Sequence, residues 1–74
     1  MNLVGTFTGT FVSEWSMFVP DEDYQNYLAD HPNFDINDVE QAEEMWDYLK
    51  SIGCYDEPDN SCDYDTTMVG VEIV

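Results

Sequence analysis

Seventy-four residues are enough for one small domain, near the lower limit at which a hydrophobic core folds without covalent staples, and too few for an elaborate active site. Apolar residues at 43% and aromatics at 15% exclude a disordered acidic tail, so a single folded domain over 1–74 is expected. Seventeen Asp and Glu face one cation, Lys50, giving a net charge of −16 that internal ion pairs cannot neutralise.

No apolar run approaches the roughly 20 residues of a membrane span, and the start of the chain has neither a basic segment nor a continuous apolar stretch of the signal-peptide kind. A cytoplasmic location is expected on that basis. Cys54 and Cys62 could close a short loop, but two cysteines do not make a secreted disulfide framework, and both are read as free thiols.

From Leu3 to Val19 the large apolar residues keep one parity: Leu3, Phe7, Phe11, Trp15, Met17 and Val19 alternate with Thr6, Thr8, Thr10, Glu14 and Ser16. This is the strand period. It fits either one long strand or a hairpin whose three-residue turn, Thr8-Gly9-Thr10, places Phe7 opposite Phe11. Pro20 ends the extended segment. Asp21 is placed to cap a short helix in which Tyr24, Tyr27 and Leu28 share a face, and His31-Pro32 stops it because a residue before proline avoids the helical region.

A second helix is expected from near Asp35, with Asp35 as cap and Phe34 and Val39 forming a hydrophobic staple, to about Ile52. Val39, Ala42, Trp46 and Leu49, flanked by Met45 and Ile52, form its apolar stripe; Lys50 suits the dipole of the last turn and Gly53 the left-handed position beyond it. The stretch from Cys54 to Asp65, with Glu57-Pro58-Asp59-Asn60-Ser61 inside it, reads as an exposed acidic loop. Thr67, Val69, Val71 and Ile73 then alternate with Met68, Gly70 and Glu72 as a closing strand. The expected fold is α+β, ββααβ or βααβ: a small antiparallel sheet of two to three strands with both helices on one face.

Fifteen of the seventeen acids lie between Asp21 and Asp65, so the negative field belongs to the helices and the loop. Glu40, Glu44 and Asp47, with Glu43 beside them, fall opposite the apolar stripe of the second helix, where like charges oppose helix formation. A duplex carries one charge per roughly 1.7 Å of axis, so sixteen charges correspond to about 27 Å of DNA. A compact chain of this length has a radius of gyration near 11 Å, hence a diameter of roughly 29 Å. A generically solvated acidic surface is the plain alternative.

In size, in its near-absence of basic residues and in acids concentrated on helices and loops, the chain resembles the DNA-mimic inhibitors, mostly phage-encoded, which include anti-CRISPR, anti-restriction and uracil-glycosylase inhibitor proteins. The resemblance covers the whole chain and rests on no sequence motif; small acidic anti-CRISPR proteins of the α/β type look closest. It implies a non-enzymatic inhibitor that occupies the basic nucleic-acid-binding surface of a host defence protein, first among them a CRISPR effector complex. Restriction or DNA-repair targets, and a general acidic interaction module, are the alternatives.

The candidate partner-binding residues are Asp21, Glu22, Asp23, Asp30, Asp38, Glu40, Glu43, Glu44, Asp47, Asp56, Glu57 and Asp59. Tyr48, Tyr55 and Tyr64 are candidate aromatic anchors. His31 is the lone histidine and stands at a helix end, away from any nucleophile, so no catalytic residue is expected. One His with two Cys matches no zinc spacing, and no cofactor is expected. Asp56, Glu57, Asp59, Asp63 and Asp65 crowd one segment with oxygen ligands, yet without the EF-hand order, so calcium is a weaker alternative. Direct binding of nucleic acid is opposed by charge.

Overall fold

The computed structural model describes residues 1–58 and 67–74. Its elements are β1 (Asn2–Thr8), β2 (Val12–Phe18), α1 (Asp21–Asp30), α2 (Val39–Ser51), β3 (Asp56–Pro58) and β4 (Thr67–Ile73). The strands form one antiparallel sheet in the order β3-β2-β1-β4. The α+β architecture is the expected one. The sheet has four strands instead of two or three, because the start of the segment read as a loop pairs with the free edge of β2, matching Ser16 to Glu57 and Met17 to Asp56.

The strand period over Leu3–Val19 resolves into a hairpin. Its reversal lies at Gly9-Thr10-Phe11, one residue later than expected, and the Gly9 N–H donates to the Phe11 carbonyl at 3.1 Å. Phe7 therefore faces Ser13, and Phe11 sits exposed in the turn. The shift sets Gly5 opposite Trp15 and Leu3 opposite Met17. A residue without a side chain thus stands across from the largest one on a face that must also receive Trp46.

That face carries Leu3, Met17, Val71 and Met68 into one core with Tyr24, Tyr27, Ala42, Met45, Trp46 and Leu49 from the helices. Strict alternation in β4 is broken by a bulge: Thr6 pairs with Gly70 but Phe7 with Met68, so Val69 is the extra residue. Met68 is buried where Val69 was expected, and Val69 is exposed. Ile73 also ends exposed, at the sheet's rim.

In α1, Tyr24 and Tyr27 are buried and Leu28 is half-buried, as their spacing implied. The cap position belongs to Pro20, with Asp21 the first helical residue, and no side chain caps this end. In α2 the start moves from Asp35 to Val39. Asp38 caps it, its Oδ1 accepting from the Glu40 and Gln41 N–H groups at 3.0 and 3.4 Å. Asp35 instead accepts from the Asn37 N–H at 2.9 Å, which closes a turn before the helix. Val39 is consequently in the first turn and 39% exposed, and Ile52, beyond the last, is 45% exposed; neither belongs to the buried stripe.

Gly53 terminates α2 as expected, with φ +105°. The Cys54 N–H donates to the Leu49 carbonyl at 3.0 Å and the Gly53 N–H to the Lys50 carbonyl at 3.2 Å, the paired bonds of a Schellman motif. Cys54 is a buried free thiol. Among the described residues no helix is long and apolar enough to cross a membrane.

Candidate acidic interface

The two helices share the sheet face but divide the acids between them. Asp21, Glu22 and Asp23 occupy the first turn of α1, where carboxylates favour the helix dipole, and Asp30 is its last residue. Asp38, Glu40, Glu43, Glu44 and Asp47 belong to α2 and its cap, and Asp56 and Glu57 to β3. Asp59, Cys62, Asp63, Tyr64 and Asp65 lie outside the described residues, and with them most of the segment weighed for calcium.

Among the described residues three of these acids are engaged within the molecule: Asp38 caps α2, and Asp21 and Asp56 form ion pairs. The Met1 amine lies 3.4 Å from Asp21 Oδ1. Asp56 is held twice at one oxygen: the Trp46 indole N–H donates to Oδ2 at 3.1 Å, and Lys50 Nζ stands 3.5 Å away. Its side chain is only 16% exposed, so this carboxylate fastens β3 to α2. The single Lys of the chain is thereby paired with β3, and among the described residues no ion pair joins it to an acid of α2.

Glu40, Glu43, Glu44 and Asp47 are all exposed and together bound a shallow hollow of about 210 Å³. Their spacing of i, i+3, i+4 and i+7 confines them to one side of α2, opposite Ala42, Met45, Trp46 and Leu49. With a rise of 1.5 Å per residue the four carboxylates span about 10.5 Å of axis, a mean of about 3.5 Å per charge. One strand of a duplex presents a phosphate every 3.4 Å. No ion pair among the described residues involves any of the four.

On either side of this stripe the surface changes character. Toward β4, Glu43 and Asp47 border a hollow with Phe7, Trp46 and Met68. Toward α1, Glu44 borders a larger one with Tyr27, His31 and Phe34. Burial first, then the nearby Glu44 and Tyr48, pushes the Tyr27 phenol above its ordinary value. The spacing of Tyr27 and His31, one helical turn apart, was the signal for this cluster; Phe34 joins it only through the turn between the helices. Of the candidate anchors, Tyr48 is partly exposed and packs against Tyr27, while Tyr55 is 81% exposed.

His31 closes α1: its Nδ1 is 2.9 Å from the Tyr27 carbonyl. Among the described residues there is no group of three or more His, Cys, Asp and Glu that could hold a metal ion. The arrangement sets fixed negative charge beside aromatic hollows. No family model, curated protein or solved structure matches this chain.

Proposed function

We propose that this protein is a non-enzymatic DNA mimic that occupies the basic nucleic-acid-binding surface of a host defence protein, a CRISPR effector complex in the first instance, within the host cytoplasm. The observation that carries the reading is the α2 stripe, four exposed carboxylates that enter no ion pair among the described residues and whose mean spacing along the helix axis is close to the rise between backbone phosphates. The dimensions agree with it. The molecule is 36 Å long and 21 Å across, and a duplex of that length carries about 21 charges, against the sixteen net charges here.

Such a surface works by substitution. Lys and Arg that would neutralise phosphates meet carboxylates held on a rigid helix, and the duplex loses its site. Opposed fields also speed encounter, and salt screens that steering over about 8–10 Å near physiological ionic strength. Restriction and repair proteins present the same basic chemistry, so the same mechanism extends to them.

Competition measures this directly. Duplex target and saturating protein should exclude each other from the effector, and simultaneous reversal of Glu40, Glu43, Glu44 and Asp47 to Lys should restore duplex binding while the circular dichroism spectrum stays unchanged. The association rate should fall as salt rises. An effector that binds its duplex equally well with saturating protein present would remove mimicry as the mechanism for that partner.

A further inference from the structure

The hollow between the end of α1 and the start of α2 encloses about 340 Å³ and combines aromatic rings with a carboxylate: Tyr27, His31 and Phe34 on one side, Glu44 on the other. Tyr27 organises the rings. The His31 imidazole lies nearly flat against it, centroids 4.0 Å apart at 20°, and Phe34 meets it edge-on at 5.5 Å and 89°. A backbone carbonyl only accepts, so the His31 Nδ1 beside the Tyr27 oxygen carries the proton, and that bond fixes the plane of the imidazole.

The opposite wall is braced as well. The Gln41 amide oxygen accepts from the Asp35 N–H at 2.9 Å, and its Nε2 donates to Asp38 Oδ2 at 3.3 Å. The turn carrying Phe34 is therefore tied to the first turn of α2, and the hollow has built walls.

We propose that this hollow receives an arginine side chain of the protein partner, its guanidinium lying against the His31 and Phe34 rings, which stand over the buried Tyr27, and paired with the Glu44 carboxylate. Ring faces attract a cation, and a planar guanidinium both stacks on rings and donates to a carboxylate. A compact, strongly hydrated ammonium gains less from such a slot, and an anionic ligand is repelled by a chain of net charge −16. The protein's own Lys50 is held by Asp56 and does not fill the hollow. The choice of a protein arginine as occupant rests on the reading of the partner surface as basic. Glu44 then belongs to both features, and the hollow anchors one side chain at the margin of the acidic stripe.

The test is a titration of the whole protein with N-acetyl-arginine-N-methylamide, followed by NMR, with the citrulline analogue as its uncharged counterpart. Saturable shifts should be confined to Tyr27, His31, Phe34, Gln41 and Glu44, with none from citrulline. Glu44→Gln should weaken binding about five-fold, whereas Glu40→Gln, which removes the same charge outside the hollow, should change it by less than about two-fold.

Equal losses from the two variants, or unsaturating shifts spread over Asp21, Asp23 and Glu57, would overturn the site as diffuse electrostatics. Tighter binding of tetramethylammonium than of the arginine probe would overturn it in favour of a quaternary-ammonium ligand. The two proposals fail separately. Arginine binding in the hollow without displacement of duplex from an effector sinks the mimic alone, whereas displacement equally weakened by the Glu44 and Glu40 variants sinks the hollow alone.

Discussion

Gly5 shows how closely this small core is filled. A Cβ built there would stand 2.9 Å from Phe7 Cε2 and 3.0 and 3.2 Å from two carbons of the Trp46 ring, closer than packed carbons approach. Those rings meet edge to face at 5.8 Å, and Trp46 is further pinned by its bond to Asp56. Gly5→Ala should therefore cost roughly 1–3 kcal/mol in urea denaturation, a penalty of overpacking. Cys54 makes a second case at this scale. Burial, reinforced by Asp23, pushes its thiol above the ordinary value of 9.0, so the fold favours the protonated form. Tyr24 and Tyr27 are displaced upward from 10.0, again chiefly by burial.

All three groups contribute fully below their ordinary values, and the contribution is lost as pH rises through the folded ones. The urea midpoint should consequently fall as pH rises past the thiol's ordinary value of 9.0, and further past the phenols' 10.0. A flat profile would contradict this origin.

Among the elements, α2 carries both the core and the candidate interface, and its two ends are secured differently. Its start depends on one side chain, Asp38, and its end on the left-handed Gly53. Asp38→Ala should lower stability by about 1 kcal/mol, the ordinary worth of a lost N-cap. Asp35→Ala, which releases only the preceding turn, should cost less. Chemical denaturation of the two variants checks the order, and the reverse ranking would move the helix start back to Asp35. On the opposite side of the sheet from the helices, Val4, Thr6 and Ser16 are half-covered, and Glu14 and Glu72 border them.

For the molecule as a whole, the dominant fact is sixteen uncompensated charges within 36 × 21 × 21 Å. Glu40, Glu43, Glu44 and Asp47 repel one another along α2, and repulsion of this kind is paid in folding stability. The melting temperature should therefore rise between about 10 and 300 mM NaCl, as screening shortens the range of that repulsion. A melting temperature indifferent to salt would mean that the carboxylates lie too far apart to matter. The opposing trends are diagnostic: salt should strengthen the fold while slowing association with a basic partner.

The α+β class, the extended character of Leu3–Val19, the stop at His31-Pro32, the end of α2 at Gly53 and the acidic stripe opposite Trp46 were all legible in the sequence, whereas the choice between a hairpin and one long strand was not. Each follows from local periodicity, or from backbone limits that a residue carries wherever it stands. Register was not legible: whether Phe7 faces Phe11 or Ser13 is decided by the room that Gly5 leaves beside Trp15 and Trp46, residues ten and forty-one positions away. The same holds for the bulge at Val69, the pairing of β3 with β2, and the capture of Asp56 by Trp46 and Lys50. The aromatic hollow joins Tyr27 and His31 at the end of one helix to Glu44 of another across a turn. Local preference determined the elements and the sign of the surface; long-range packing decided which carboxylates were engaged within the fold and which stayed exposed.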